Sequence, residues 1–201
     1  MNTDKRSRDL TRAFPGDPDR LSLLRDRLAA TAQQNRILDI AYRAIDSPVG
    51  PLPVAATGPG LIRVAHAREG HDAVLQALAD KISPRILRAP ARPDMTAPEF
   101  EEYLAGRRRS FDLDWRLAAG FRRAALSHLP DIGYGHIASY AAIARLVGHP
   151  KAVRAAGTAC AANPPPVVLP CHRVVHSHGS LGGYLGGADA KRTLLTPEAA
   201  A

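Results

Sequence analysis

A cysteine followed directly by a histidine lies in the segment NPPPVVLPCHRVV, which runs from Asn163 to Val175. A cysteine reacts as its thiolate, and a free thiol with a pKa of about 8.5 is only slightly ionised at neutral pH. Cys171 therefore needs a base, and His172 is adjacent to it in the sequence. Side chains that are adjacent on an extended segment point to opposite faces, so the proton could instead pass through a bridging water. The residues alone leave three interpretations of Cys171 open: a nucleophile, a metal ligand or a buried packing residue.

A histidine that acts as a base needs a third group to fix which ring nitrogen carries the proton. Glu198 is the only acidic residue after Asp189, so it is the candidate for this role. Asn163 follows a predicted helix, and we expect it either to cap that helix or to tie the next turn together. The prolines after Asn163 predict an extended segment or edge strand that holds Cys171 on a rigid support.

The sequence lacks the patterns of a metal or nucleotide site. Its only cysteines are Cys160 and Cys171, which have no C-x-x-C spacing, and we expect two free thiols in a reducing compartment. The glycine-rich segment GSLGGYLGG, residues 179–187, lacks the final Gly-Lys-Ser/Thr of a phosphate-binding loop. We therefore predict no metal and no cofactor, and we note Tyr184 in this segment as a ring on which a base could stack.

The composition is typical of a soluble globular protein with an anionic partner. The chain has 201 residues, of which 45% are hydrophobic and 23% charged, enough for one large domain or two small ones. The formal net charge of +8 favours nucleic acid as a partner, with solubility alone as the plainer alternative. No segment has the roughly 20 apolar residues of a membrane helix. The polar start lacks the core of a secretory signal, so we expect a cytoplasmic protein.

The elements that must position these residues divide the chain into three parts. Residues 1–38 are predicted to be an N-terminal extension with one amphipathic helix in RLSLLRDRLAATAQQ. Its apolar side would include Leu24, Leu28 and Ala29, so we expect a packing or capping helix.

Residues 39–116 are predicted to be a small α/β domain. Short alternating segments are separated by Ser-Pro-Val-Gly-Pro and Gly-Pro-Gly turns, which favours antiparallel strands. HDAVLQALADKI and APEFEEYLAGRRRS have helical spacing, and Thr96 is a candidate cap for the second of these helices. RILRA between them predicts a further strand.

The third part, residues 117–201, is predicted to be mostly helical. LAAGFRRAALSHL indicates one helix that ends at Pro130. Ser139 is a candidate N-cap for a short helix from Tyr140 to Val147, and GHP forms a turn before a second helix from Lys151 to Ala162. Two helices joined by a tight turn with glycine are typical of a helix-turn-helix, although many helical proteins contain similar hairpins.

The second helix of this pair is rich in alanine and glycine, and basic residues outnumber acidic ones throughout the third part. Small side chains let a helix approach another surface closely, either a neighbouring helix or DNA. The excess of lysine and arginine over acidic residues in the same region favours a surface that binds nucleic acid.

These motifs together resemble the O6-alkylguanine-DNA alkyltransferases, also called methylated-DNA–protein-cysteine methyltransferases. The resemblance covers about residues 40–198, and its most specific part is Pro-Cys-His-Arg with an Asn-Pro upstream and a Gly-Gly-Tyr downstream. IDSPVGPL and GLIRV also resemble the first hairpin of the family. The resemblance implies a ribonuclease H-like α/β N-terminal domain with an antiparallel sheet and helices. It implies that a mostly α-helical C-terminal domain with a helix-turn-helix follows.

The resemblance implies a DNA-repair reaction in which each protein molecule acts once. The alkyl group of O6-alkylguanine in double-stranded DNA, with O4-alkylthymine as a further candidate, would pass irreversibly to Cys171 by in-line displacement. His172 is implied as the general base acting through a water, Glu198 as the acid that orients it, and Asn163 as the holder of the active-site turn. The family resemblance also leads us to expect a monomer that needs no metal, cofactor or membrane.

The resemblance implies DNA contacts as well. Tyr140 would help to rotate the damaged nucleotide, and Arg154 would fill the vacated stack, which partly offsets the cost of unstacking. The second helix would enter the minor groove, where bulky side chains do not fit. Further DNA-binding candidates are Ser139, Lys151, Ala152 and Gly157, and the substrate-pocket candidates are Tyr184, Ser177, Pro166 and Val174.

Two other functions stay open at this point. A non-catalytic, lesion-binding or regulatory protein would share the helix-turn-helix, but alkyltransferase-like proteins of that kind lack the nucleophile that Cys171 supplies. A cysteine hydrolase with repeated turnover would use the Cys171–His172 pair and would leave the basic helical part unexplained.

Overall fold

The computed structural model describes residues 18–35, 37–89, 97–105, 107–108 and 110–199. The candidate helix cap Thr96 and the part of the predicted extension before Pro18 lie outside these ranges. No helix within the described ranges is both long and apolar enough to cross a membrane.

Within the described residues, the N-terminal half contains one sheet, three α-helices and a 3₁₀ helix at Ala67–Glu69. In chain order these elements are α1 (Pro18–Gln34), β1 (Ile40–Ile45), β2 (Leu52–Ala56), β3 (Leu61–Val64), α2 (His71–Lys81), β4 (Ile86–Arg88) and α3 (Ala97–Leu104). The strand order is β3-β2-β1-β4, with β1–β2 and β2–β3 antiparallel and β1–β4 parallel. The prediction of an antiparallel sheet is therefore wrong for β4. The helix α2 carries the chain across the sheet, so β4 enters in the same direction as β1.

Both faces of the sheet are covered. Successive side chains of β2 point to opposite faces, so Val54 and Ala55 belong to different core clusters. Ala55 packs with Val74 of α2, whereas Val54 packs with Phe100 of α3 and with Val167, which precedes Cys171 in the sequence. The second face of the sheet is therefore in the same core as the segment that carries the cysteine.

The predicted helix in the extension is present as α1, but its buried side differs from the prediction. Ala29 and Ala32 are buried with Ala89, next to β4, whereas Leu24 and Leu28 are 52% and 57% exposed. Alanine allows the helix backbone to come close to the sheet edge, which a leucine at the same place would prevent.

The C-terminal half is mostly helical, as predicted. Its elements are α4 (Gly120–Ser127), β5 (Ala138–Ser139), α5 (Tyr140–Leu146), α6 (Val153–Ala161), β6 (Val174–Val175) and α7 (Ala188–Ala199), with short 3₁₀ helices at Trp115–Leu117, Leu129–Asp131 and Cys171–Arg173. The predicted helix from Leu117 to Pro130 is shorter than expected. Ala118 has an extended backbone and separates α4 from the preceding 3₁₀ helix, while Pro130 lies in the 3₁₀ helix that follows.

The two helices α5 and α6 pack against each other and against α4. Ser139 caps α5, because its hydroxyl accepts a hydrogen bond from the Ala142 backbone N–H at 3.1 Å, as predicted. Gly148 in the turn between the helices has a φ of +79°, a conformation that side chains disfavour. Ala156 and Ala159 of α6 are buried, while Arg154 is exposed on the same helix.

Candidate functional site

The segment between α6 and Cys171 is a compact, buried turn, so the predicted extended segment or edge strand is wrong. Pro166 and Leu169 form an isolated bridge, and the Leu169 N–H donates to the Pro165 carbonyl at 2.9 Å. Val167 lies between them with a φ of +74°, which β-branched residues rarely adopt. Proline fixes φ near a value that turns and extended segments share, and this ambiguity explains the error.

The N-terminal half holds this turn through hydrogen bonds to its carbonyls. The Tyr103 hydroxyl of α3 donates to the Val167 carbonyl at 2.7 Å and lies 3.0 Å from that of Val168. The Arg63 guanidinium of β3 donates to the Pro164 carbonyl at 2.7 Å. Neither residue was predicted, since both contacts join parts of the chain that are distant in the sequence.

Asn163 links the turn to the thiol. Its Nδ2 donates to the Leu169 carbonyl at 2.8 Å and to the Cys171 Sγ at 3.1 Å. The side chain is fully buried, and α6 ends before it at Ala161. Of the two expectations for Asn163, its contacts fit the one in which it ties the turn together.

Cys171 begins a 3₁₀ helix and is 3% exposed. Burial raises the pKa of its thiol to about 11, against the opposing effects of the Asn163 hydrogen bond and the positive charge of Lys191. The resting thiol is therefore protonated at neutral pH, and its activation needs a base.

His172 follows Cys171 in the chain, is buried and is hydrogen-bonded to Glu198. Its Nε2 lies 3.0 Å from a Glu198 carboxylate oxygen. Burial lowers the pKa of His172, although the bond to Glu198 opposes this effect. Burial alone would raise the pKa of Glu198, but its bonds to His172 and Arg173 outweigh that and lower it to about 2. The pair is thus a neutral imidazole that donates from Nε2 to a carboxylate, which leaves Nδ1 as the basic nitrogen.

The free ring nitrogen is buried as well. Within the described ranges, Nδ1 of His172 has no hydrogen-bond partner. A neutral imidazole that donates from Nε2 keeps a lone pair on Nδ1, so this nitrogen is free to accept a hydrogen bond or a proton. The predicted pairing of His172 with Glu198 thus agrees with the geometry.

Arg173 holds the carboxylate in place, and sequence reasoning missed it. Its Nε donates to one Glu198 oxygen at 2.8 Å and its Nη2 to the other at 3.0 Å, while Nη1 donates to the Ile132 carbonyl at 2.8 Å. This two-point contact fixes the plane of the carboxylate. Its position directly after His172 in the motif was the available signal.

Lys191 of α7 is a second residue that sequence reasoning missed. It is fully buried, and its Nζ donates to the carbonyls of Val174, at 2.6 Å, and Leu181. It therefore joins β6, which follows the 3₁₀ helix at Cys171–Arg173, to the glycine-rich loop of residues 179–187. Nothing in the local sequence distinguishes this buried lysine from the exposed basic residues around it.

Tyr184 lies between the two halves of the molecule. Its ring meets those of His172 and His66 edge-on, with centroid separations of 6.3 and 5.2 Å. The His66 Nε2 is 3.3 Å from the Tyr184 hydroxyl, and a Cβ at Gly186 would lie 2.6 Å from the His66 ring. His66 was also missed, and it joins the N-terminal half to the glycine-rich loop.

The other predicted pocket residues are divided between the core and the surface. Pro166 and Val174 are buried on either side of Cys171 in the chain, whereas Ser177 is exposed in the turn after β6. Val174 and Tyr184 pack in the same hydrophobic core as Cys171, whereas Pro166 pairs with Leu169 in the turn.

The predicted DNA-binding residues lie on α5, on α6 and in the turn between them. Tyr140 begins α5 and is 9% exposed, and a Cβ at Gly157 of α6 would be 4.0 Å from its ring. Arg154 and Lys151 are exposed, Ala152 precedes α6, and Ser139 caps α5. Gly157 therefore has an internal contact in addition to its predicted place at a DNA surface.

His172 and His176 have a spacing that is common in metal sites, so the expectation that the sequence contains no such pattern is wrong. Among the residues with described coordinates, no group of three or more His, Cys, Asp or Glu could hold a metal ion. Cys160 and Cys171 are both free thiols.

Comparisons with known proteins place this geometry in context. The family model of the 6-O-methylguanine DNA methyltransferase DNA-binding domain matches residues 120–200. The chain is 35% identical over 160 residues to a methylated-DNA–protein-cysteine methyltransferase of Mycolicibacterium paratuberculosis, covering 79% of this chain and 92% of the relative. A methylated-DNA–protein-cysteine methyltransferase of Methanosarcina acetivorans is 33% identical to this chain, and the match covers 78% of this chain and 97% of the relative. The crystal structure of Mycobacterium tuberculosis OGT in complex with DNA superposes with a TM-score of 0.64 at 32% identity, over 80% of this chain and 93% of that one.

Proposed function

The chain belongs to the methylated-DNA–protein-cysteine methyltransferase family, and we propose that it repairs O6-alkylguanine in double-stranded DNA by transferring the alkyl group to Cys171. The observation that carries the proposal is a buried set of contacts in consecutive residues: Asn163 donates to the Cys171 thiol, and the next residue, His172, is hydrogen-bonded to Glu198. We extend the proposal to O4-alkylthymine, which carries its alkyl group on a similar exocyclic oxygen.

The first step removes the proton from the thiol. Nδ1 of His172 accepts it through one water molecule, and the Glu198 carboxylate stabilises the imidazolium that forms. Arg173 keeps that carboxylate ionised and fixed in orientation. The Asn163 amide and the charge of Lys191 stabilise the thiolate, since both lower the pKa of Cys171.

The second step is an in-line displacement at the alkyl carbon. A bond forms between the Cys171 sulfur and that carbon, while the bond from the carbon to O6 of guanine breaks. Guanine leaves as its anion and takes up one proton, which balances the proton lost by the thiol. The product is a thioether, which has no ionisable proton and no route back to a thiol at this site, so each molecule acts once.

The thiol is buried, so the damaged base must leave the duplex to reach it. We propose that α5 and α6 act as a helix-turn-helix and that α6 enters the minor groove. Tyr140 rotates the nucleotide, and the exposed Arg154 fills the vacated stack. Ser139, Lys151, Ala152 and Gly157 form the adjoining surface, and Tyr184, Ser177, Pro166 and Val174 receive the base.

We propose that the N-terminal half, with a ribonuclease H-like arrangement of residues 39–116, supports the reactive turn and takes no part in the chemistry. The hydrogen bonds from Tyr103 and Arg63 to the turn support this role, and we assign residues 117–201 to the domain that binds DNA and accepts the alkyl group. We assign residues 1–38 to an N-terminal extension, whose helix α1 packs next to β4 through Ala29 and Ala32.

Transfer can be tested directly with duplex DNA that carries a single O6-methylguanine. We expect the repaired base to appear in a one-to-one ratio with protein, together with the mass of one methyl group on the peptide that contains Cys171. Cys171→Ala is expected to abolish transfer and leave lesion binding intact, because the change removes the acceptor alone.

The other outcomes of this test identify the competing functions. Binding of the lesion by the unaltered protein with no mass change would assign a non-catalytic lesion-binding role. Repaired base in excess of protein would assign repeated turnover and contradict a permanent thioether.

A further inference from the structure

The exposed turn after β6 carries two histidines that no step of the proposed reaction uses. The His176 ring meets the Tyr140 ring edge-on, with centroids 5.3 Å apart and an interplanar angle of 64°. The His178 ring stacks on the His176 ring, with a centroid separation of 5.3 Å and an interplanar angle of 13°. The Ser180 hydroxyl lies 2.8 Å from Nε2 of His178. The side chains therefore form a continuous series from the surface to Tyr140.

Backbone hydrogen bonds fix the conformation of this turn. The His176 N–H donates to the Ser180 carbonyl at 2.9 Å, and the Gly179 N–H donates to the His176 carbonyl at 2.9 Å. Gly179 has a φ of +86°, which allows the chain to reverse within these few residues. The two imidazoles are therefore held together by the backbone as well as by their own contact.

The space around the Tyr140 ring is tightly filled. A Cβ at Gly182 would lie 2.8 Å from the Tyr140 hydroxyl and 3.1 Å from Nε2 of His176. At the other end of the ring, Gly157 of α6 approaches Cδ1. Tyr140 is 9% exposed, whereas His176 is an exposed residue, so His176 covers the ring from the solvent side.

We propose that His176, supported by His178, is a positioning residue that keeps the Tyr140 ring in place while the damaged nucleotide rotates out of the duplex. The inference rests on the proposed function, in which Tyr140 presses against the nucleotide. A side chain that transmits such a force must keep its rotamer, and the His176 ring lies against the Tyr140 ring, so Tyr140 could swing outward there only if His176 moved. The alkyl-transfer step itself does not use either histidine.

The test compares two substrates in single-turnover reactions with His176→Ala. Duplex DNA with O6-methylguanine requires nucleotide rotation, whereas free O6-benzylguanine does not. We expect the ratio of the duplex rate to the free-base rate to fall by about 3- to 10-fold, the range that one aromatic contact contributes. His176→Phe keeps a ring edge against Tyr140 and should restore most of the ratio. His178→Ala removes only the outer ring and should have a smaller effect.

His71→Ala is the matched control. His71 is also exposed and meets a tyrosine ring, that of Tyr42, at 5.3 Å, but it lies on α2 in the N-terminal half. The same side-chain loss there should leave the ratio unchanged. Thermal unfolding of each variant verifies that the fold is retained.

Three results would overturn the inference. The first is a His176→Ala variant with an unchanged ratio, or with equal slowing on both substrates. The second is a His176→Phe variant that is as slow as His176→Ala and binds DNA more weakly, since this would assign a direct contact of His176 with DNA. The third is an unaltered protein that reacts with neither substrate, which would remove the proposed function and the inference together.

Discussion

The two cysteines lie in the same hydrophobic core, yet in regions of different chemistry. Cys160 is 6% exposed on the packed face of α6, and burial raises the pKa of its thiol to about 12. Cys171 is 3% exposed at the end of the reactive turn, and burial raises its pKa to about 11. A hydrogen bond from Asn163 acts on Cys171, whereas the influences on Cys160 are burial and nearby charges.

Under the proposed function, burial protects both thiols and the polar neighbours of Cys171 make it the reactive one. Burial keeps both sulfurs protonated and shielded in the resting protein. At Cys171 the turn adds a donor to the sulfur, and the next residue supplies a base whose carboxylate partner is held by Arg173. Variants that remove these neighbours one at a time should make Cys171 behave increasingly like Cys160.

Glu198→Gln is expected to have the largest effect on that comparison. The amide cannot stabilise an imidazolium, and it leaves the Arg173 charge unpaired in a buried position. We expect the rate of alkyl transfer to fall by about 10²- to 10³-fold in single-turnover reactions, both with duplex DNA that carries O6-methylguanine and with free O6-benzylguanine. We also expect a loss of about 3 kcal/mol in the free energy of unfolding, measured by denaturant titration.

Asp114→Asn is the control for the stability effect. Asp114 is a buried carboxylate paired with an arginine, Arg116, outside the reactive turn. The variant should lose stability and still transfer the alkyl group at the normal rate. If Asp114→Asn slowed transfer as much as Glu198→Gln, the loss would reflect the fold and not the base.

The same carboxylate predicts a pH dependence of stability. The pKa of Glu198 is lowered from 4.5 to about 2 in the folded state. The folded protein therefore binds fewer protons than the unfolded chain in this interval, and the stabilisation present above pH 4.5 is lost as the pH falls toward about 2. Glu198→Gln should flatten this part of the stability curve, and an unchanged acid limb would contradict the assigned pKa.

Asn163→Ala is expected to have an intermediate effect on the transfer rate. The change removes the hydrogen-bond donor to the Cys171 sulfur and leaves the proposed base, His172, in place. Loss of a hydrogen bond to a charged sulfur should lower the transfer rate at neutral pH by about tenfold. The pKa of Cys171 would rise further. The rate of reaction with free O6-benzylguanine, plotted against pH, should therefore begin to rise at a higher pH than in the unaltered protein. Transfer rates of the variant and the unaltered protein, measured between about pH 7 and 10, test this shift. If the rates of the two proteins rise over the same pH interval, Asn163 acts on the turn alone.

The sequence could predict most residues of the proposed site because they lie in a short motif. Cys171, His172 and Asn163 are within a few residues of one another, and Glu198 is the single acid near the end of the described chain. The cap at Ser139 was predicted for the same reason, since capping is a local interaction. The strands β1, β2 and β3 also follow from local alternation.

Contacts between distant segments could not be predicted in this way. Lys191 is recognisable as a buried donor only once Val174 and Leu181 have been brought to it. Tyr103 and His66 reach the site from the N-terminal half, and their local sequences are ordinary. The parallel pairing of β4 likewise depends on where α2 crosses the sheet, which no local pattern determines.

Cys160→Ala should have the smallest effect and gives the comparison its strictest test. The change removes one sulfur atom from the contact between α6 and the core, so we expect a loss of about 1 kcal/mol in the free energy of unfolding. The transfer rate and its pH profile should be unchanged, because Cys160 meets Asn163 through its backbone carbonyl, which accepts from the Asn163 N–H at 3.3 Å and which alanine keeps. Alkylation mapped by peptide mass should stay confined to Cys171 in the unaltered protein. A slower Cys160→Ala variant with normal stability would mean that the two thiols are chemically coupled, and the division between a protected and an activated cysteine would then be wrong.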